Sequence, residues 1–185
     1  MKHTWYPDDY VASTYQIDFA QLAKEGYRGV IFDVDNTLVE HNAPADERAI
    51  AFFTMLHDNG YKALLLSNNA EPRVQSFKEA SGADAYIYKA GKPSPKSYQK
   101  AMEILGTTPE TTLFVGDQIF TDIWGANLAG IRSIMVKPVH KWKEEIQIII
   151  KRFAEAIVLF FYHFYAKNEK NIKRVPLLDK ETWVC

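Results

Sequence analysis

The stretch "GVIFDVDNTLVEH", residues 29–41, runs an apolar segment straight into two carboxylates one residue apart, Asp33 and Asp35. A short run of Val, Ile and Phe without polar alternation reads as a strand buried on both faces, as in a parallel sheet covered by helices. Ligands of such sheets collect beyond the carboxyl ends of the strands, where the strand order reverses. Acids at that point are candidates for chemistry, although a lone Asp-x-Asp pair after a strand is also an ordinary turn cap.

Outward from this stretch the pattern repeats. "YKALLLS", "AYIY", "TTLFVGD" and "IRSIMV" are further short apolar runs, and between them "ADERAIAFFTMLHDN", "EPRVQSFKEAS", "SPKSYQKAMEIL" and "IFTDIWGANLA" carry a helical period. Pro72 and Pro95 near helix openings, and Thr108 before Pro109, mark starts. The alternation predicts an α/β fold, a Rossmann-like open parallel sheet with helices on both faces. Asp33 and Asp35 then end the first strand, Ser67 the second and Asp117 the fourth, all on one rim.

The chain has 185 residues, 47% hydrophobic and 24% charged, which suits one soluble globular domain with a sizeable core. The formal net charge of −1 conceals an asymmetry: residues 1–136 hold 12 Lys and Arg against 17 Asp and Glu, residues 137–185 hold 10 against 6. The basic tail suits an anionic partner, and we expect no nucleic acid. The single cysteine, Cys185, has no partner for a disulfide or a zinc site, and no apolar run has signal-peptide or membrane-spanning length. A cytoplasmic protein is expected. The basic, Pro138-containing "VKPVHKWK" marks a division between residues 1–140 and a C-terminal helix and tail, 141–185.

Four acids, Asp33, Asp35, Asp117 and Asp122, would repel one another if packed together and would take up protons unless a cation neutralised them. An all-oxygen set suits a hard ion, Mg²⁺, better than zinc, and Mg²⁺ points to phosphate. Ser67 and the backbone N–H groups of "SNN" can donate to phosphoryl oxygens, and Lys92 of "GKPSP" brings positive charge. The "GK" is not a Walker loop, since the upstream glycine spacing and the following Ser or Thr are missing.

"DVDNT", "LLLSN", "GKPSP" and "GDQIFTD", in that order and each at a strand end, resemble the four motifs of the haloacid dehalogenase-like (HAD) hydrolases. The resemblance implies that Asp33 is a nucleophile forming an aspartyl-phosphate and that Asp35 is the general acid and then base. It also implies that Thr37 braces the first motif, that Ser67 and Asn68 hold the phosphoryl group, and that Lys92 offsets its charge. Mg²⁺ would be held by Asp33, the backbone carbonyl of Asp35, and Asp117. Asp122 would be a further metal-site acid or a partner of Lys92.

Between Asp35 and Lys92 there is no room for the inserted cap domain that many members carry. An uncapped site is open to water and to large substrates, such as a phosphate on a macromolecule or at a membrane surface. The segment "YPDDYVASTYQIDFAQLAKEGYRGVIFDVDNTLV" is similar to the bacterial YqeG family, itself similar to phosphatidylglycerophosphate phosphatases. The implied activity is phosphomonoester hydrolysis, with phosphoprotein or sugar-phosphate substrates as alternatives. The rival from another class is a HAD-like binding module that senses a phosphorylated partner without turnover.

Residues 142–165, "WKEEIQIIIKRFAEAIVLFFYHFY", predict a helix. Ile146, Ile149, Ile150, Phe153, Ile157, Phe160, Phe161 and Phe164 form one apolar stripe opposite Gln147, Lys151 and Glu155. The stripe suits a peripheral membrane contact, a dimer interface or the core of this domain. Phe52, Phe53, Phe77 and Trp124 read as core; Arg48, Lys62 and Arg73 as solvated surface; the five histidines as surface or packing residues. His41 alone is a candidate leaving-group contact.

Overall fold

The computed structural model describes residues 4–139, 146–168 and 174–179. Residues 142–145 of the expected C-terminal helix lie outside these, as do Lys141, Lys143, Lys170 and Cys185.

Six parallel strands form one sheet: β1 (Asp9–Val11), β2 (Gly29–Phe32), β3 (Lys62–Leu66), β4 (Ala85–Ile87), β5 (Thr112–Gly116) and β6 (Arg132–Val136), in the order β1-β6-β5-β2-β3-β4. The chain leaves β2 toward β3 and β4, then returns to β5 on the other side, so the order reverses between β2 and β5. Phe32 pairs with Leu65 and with Val115. Asp33, Ser67 and Asp117 therefore all fall one or two residues past the paired segments, on one rim.

The side-chain alternation of the strands builds two cores. Val30, Phe32, Ala63, Leu65, Leu113 and Val115 face a cluster with Phe19, Phe52, Phe53, Val74 and Phe77. These come from α1 (Phe19–Lys24), α2 (Glu47–Asp58) and α3 (Glu71–Ser81). Ile31, Leu64, Leu66 and Phe114 face the opposite way, onto Tyr98, Ala101, Met102 and Leu105 of α4 (Pro95–Leu105) and Ala126 of α5 (Trp124–Leu128). A strand covered on both faces needs apolar residues at every position, hence the unbroken apolar runs. Trp124, expected in the core, is half-buried and meets Trp5 edge-on at 6.0 Å.

The helices start as their sequences direct. The Asp46 side chain accepts from Ala49 N at 2.7 Å at the head of α2, and prolines occupy the first turn of α3 and α4. Each crossover from β2 to β3 and from β3 to β4 is a single helix, with no cap inserted.

Three features differ from the reading of the sequence. The sheet has a sixth strand, β1, whose three residues are too few to show a period and whose partners lie more than a hundred residues away, Asp9 opposite Ile134. The helix expected over "IFTDIWGANLA" is a π turn at Ile119–Ile123 followed by α5. The C-terminal helix, α6 (Ile146–Asn168), turns Glu155 of its expected polar side inward. Glu155 and Tyr162 are buried, with Val158 and Leu159 packed toward Ile119, Ile123 and Met135. Phe153, Ile157, Phe160, Phe161 and Phe164 are 50–74% exposed, so the described part of the stripe does not complete the core. Beyond α6, Val175 N donates to Asp9 Oδ1 at 2.7 Å, which returns the tail to β1.

Candidate active site

The β2 rim holds Asp33, the β5 rim Asp117, and the π turn after β5 Asp122. One carboxylate oxygen from each lies within 4.8 Å of the others, and all three residues are buried. Lys92, its side chain only 3% exposed, donates from Nζ to Asp33 Oδ1 at 2.6 Å and to Asp122 Oδ1 at 2.7 Å. Thr37, also buried, stands 3.4 Å from both Asp33 Oδ2 and Asp117 Oδ1. With all three carboxylates ionised, the one ammonium leaves two negative charges in a buried set of oxygen ligands. The donor chemistry and the charge fit one hard divalent cation.

Electrostatics follow from the burial. Desolvation pushes Asp33 up to about 7, against the pull of Lys92 and with added repulsion from Asp122. For Lys92, burial favours the neutral amine, but Asp122 and Asp33 outweigh it and hold the group above the ordinary lysine range. Lys92 is an ammonium fixed between two acids.

Neighbouring elements set this geometry. Asp122 Oδ2 accepts from Gln118 N at 3.0 Å. A Cβ on Gly116 would fall 2.7–2.8 Å from the Asp122 side chain, so the glycine of "GDQIFTD" makes room for the acid. Tyr98 of α4 donates its hydroxyl toward Thr121 O at 2.9 Å and Asp122 O at 3.1 Å. Burial raises the Tyr98 phenol, which keeps it a donor. On the other side, Thr14 Oγ1 donates to Thr37 O at 2.9 Å and the Tyr15 hydroxyl to Leu38 O at 2.8 Å, bracing the loop after β2.

With this geometry in view, comparison with known proteins is informative. Residues 42–130 match the family model for haloacid dehalogenase-like hydrolases. The chain is 37% identical to "Probable phosphatase YqeG" of Bacillus subtilis over 140 residues, 75% of this chain and 81% of that protein. The chain belongs to the haloacid dehalogenase-like hydrolases. Within that superfamily it groups with phosphatases. It is 26% identical to chloroplastic/mitochondrial phosphatidylglycerophosphate phosphatase 1 of Arabidopsis thaliana over 144 residues, 69% of this chain but only 39% of that protein. A subfamily III A HAD hydrolase from Legionella pneumophila shares the fold, with a TM-score of 0.52 and 18% identity over 65% of this chain and 70% of that one.

The hydrolase brings together Asp33, Asp117, Asp122, Lys92 and Thr37 as the motifs imply. Asp122 is the partner of Lys92. Asp35 does not join the cluster with its carboxylate: Oδ1 accepts from Asn42 N at 2.7 Å and Arg73 at 3.0 Å, and Oδ2 from Asn69 Nδ2 at 2.6 Å. A metal role for Asp35 rests on its backbone carbonyl. Asn68 is exposed and its amide is engaged with the Lys92 backbone, Lys92 N donating to Oδ1 at 2.9 Å. The Asn68 side chain thus positions Lys92 through its backbone. Ser67 is buried beside it, with Oγ accepting from Asn69 N at 3.2 Å.

Arg73 is not solvated surface. Its side chain is 19% exposed and ion-paired to Asp35. Arg48 is half-buried over the Tyr15 ring at 4.0 Å, whereas Lys62 is exposed as expected. His41 is half-buried and makes no hydrogen bond to Asp33 or Asp35. Arg73 and Asn69 escape a reading of the sequence because neither the helix period around Arg73 nor the loop composition around Asn69 shows which polar side chain turns toward the rim. Tyr98 carries no motif, but a tyrosine on the buried face of a helix needs a partner for its hydroxyl, and that signal was available.

Tyr98→Phe removes the hydroxyl that Thr121 O and Asp122 O share and should destabilise the fold by about 1 kcal/mol. Loosening Asp122 should also lower kcat by roughly tenfold, about 1.4 kcal/mol of barrier. Urea denaturation and turnover of p-nitrophenyl phosphate measure the two effects.

Proposed function

We propose that the chain is a Mg²⁺-dependent phosphomonoesterase that works through an aspartyl-phosphate on Asp33, on a phosphate presented at a lipid surface such as that of phosphatidylglycerophosphate. The observation that carries the catalytic part is the buried Asp33–Asp117–Asp122 cluster bridged by Lys92, with the second acid, Asp35, two residues from the first. Asp33 attacks phosphorus, the bond from phosphorus to the leaving oxygen breaks, and Asp35 passes that oxygen a proton. Asp35 then takes a proton from water as the water oxygen attacks phosphorus. The Asp33–phosphorus bond breaks and inorganic phosphate leaves.

Ser67 and the N–H of Asn68 hold phosphoryl oxygens, Lys92 offsets their charge, and Thr37 fixes the Asp33 and Asp117 oxygens between which it lies. Mg²⁺ held by Asp33, Asp117 and the Asp35 backbone carbonyl would neutralise phosphoryl charge and orient the reacting oxygens. Asp35 needs to turn from its present partners to reach the leaving oxygen.

A lipid substrate is supported by the uncapped rim, by the likeness to the Arabidopsis enzyme, and by α6. Among the described residues no helix is long and apolar enough to cross a membrane. The exposed Phe153, Ile157, Phe160, Phe161 and Phe164 instead suit a helix lying in an interface, in a segment with four more basic than acidic residues. The Glu155 carboxylate accepts from Ile119 N at 2.7 Å, two residues from Asp117. The apolar stripe is thereby tied to the reacting rim.

Asp33→Asn should fold and lose at least about 1,000-fold in kcat, some 4 kcal/mol of barrier; near-normal turnover by the folded variant would refute the nucleophile. Chelation should abolish turnover of phosphatidylglycerophosphate and added Mg²⁺ restore it, and full activity after rigorous metal removal would refute the cofactor. The full chain should sediment with phosphatidylglycerol vesicles at low salt, and Phe160→Glu/Phe164→Glu should stay in the supernatant. Equal sedimentation of the two would detach α6 from the lipid.

A further inference from the structure

The Arg73 guanidinium stands beside Asp35 with donor capacity unused. One nitrogen donates to Asp35 Oδ1 at 3.0 Å, while Nε is buried and has no hydrogen-bond partner. The Phe77 ring lies 5.4 Å from the guanidinium carbon and shields one face of the group. A buried donor without a partner next to a reacting carboxylate calls for an acceptor that the protein itself does not supply.

We propose that Arg73, with Asn69 beside it, is a subsite for a second phosphate group of the substrate, a phosphodiester joined by a short linker to the phosphomonoester that is cleaved. The inference rests on the phosphatase reading above and deepens it. Asp35 has to meet the leaving oxygen to protonate it. The groups that now hold the Asp35 oxygens, Arg73 and Asn69 Nδ2 at 2.6 Å, therefore lie within a few bonds of that oxygen, where the rest of the leaving alcohol extends. A phosphodiester there can accept from two guanidinium nitrogens in the paired geometry that arginine favours, and Nε gains its missing partner.

The same exchange takes Arg73 off Asp35. Without a second anion, the Asp35 carboxylate is held by three donors from Asn42, Asn69 and Arg73. With one, the ion pair with Arg73 is transferred to the substrate and the Asp35 side chain is loosened to face the leaving oxygen. A substrate bearing both phosphates thus aligns the acid that it needs, whereas a plain monophosphate meets an acid still latched. Subsite binding is expressed in the transition state, and appears in kcat as well as in KM.

The test compares glycerol 3-phosphate with glycerophosphoglycerol phosphate, which presents the same reacting end and a phosphodiester but no acyl chains. The lipid surface is thereby removed from the comparison. With Mg²⁺ the wild-type chain should favour the diester-bearing compound in kcat/KM by about ten- to a hundredfold, the range of a charge-assisted hydrogen bond. Arg73→Ala should bring that ratio to near one, and Arg73→Lys should restore part of it, since a lysine supplies charge without the paired donors. Equal turnover of the two compounds by the wild type, or a loss in Arg73→Ala that leaves their ratio unchanged, would overturn the subsite while the phosphatase stands. Absence of turnover on both compounds and on p-nitrophenyl phosphate would remove the phosphatase reading and the subsite with it.

Discussion

The Lys92 ammonium, held between Asp33 and Asp122 away from water, is the interaction on which the site depends. Taking an ion pair out of water has a large desolvation penalty, recovered only when the geometry is close and the remaining polar atoms are satisfied. Both contacts here are under 2.8 Å, and Asp122 also accepts from the backbone of its own turn. The residual charge of two leaves the cluster unbalanced until a cation joins it. Such a site is costly to the fold and suited to a doubly charged ligand together with the phosphate that the ligand accompanies.

Much of the surrounding structure keeps the turn between Asp117 and Asp122 in place. Gly116 gives Asp122 its space, Tyr98 holds the turn from below through two carbonyls, and Glu155 of α6 caps the N–H of Ile119. Three separate segments therefore converge on six residues. A π turn has poor intrinsic stability and is commonly found at functional sites. External contacts substitute for the regular hydrogen bonds of an α-helix, and they let two acids five residues apart face the same lysine neighbourhood.

The C-terminal helix shows how a polar contact can override amphipathic pattern. Burying Glu155 against the backbone of the π turn orients α6 with Phe153, Ile157, Phe160, Phe161 and Phe164 outward. Phe160, Phe161 and Phe164 touch one another, so this exposed aromatic surface is contiguous rather than scattered. Through Glu155 and Ile119 the helix that carries the stripe is linked to the turn between Asp117 and Asp122.

Read from the sequence alone, the strands from β2 to β6 and the helices α2 to α4 were legible, because strands buried on both faces and helices buried on one leave distinct periods in the residues. The rim position of Asp33, Ser67 and Asp117 followed from that alternation, and the order of the four motifs connected Lys92, Thr37 and Asp122 to it. Strand β1 was not legible, since three residues carry no period and their stability comes from β6 and the tail. The engagement of Asp35 by Arg73 and Asn69, the clamp from Tyr98 and the inward turn of Glu155 were decided only by tertiary structure. Each is a choice between two possible directions for a polar side chain, and that choice depends on which distant backbone or carboxylate the folded chain brings within about 3 Å.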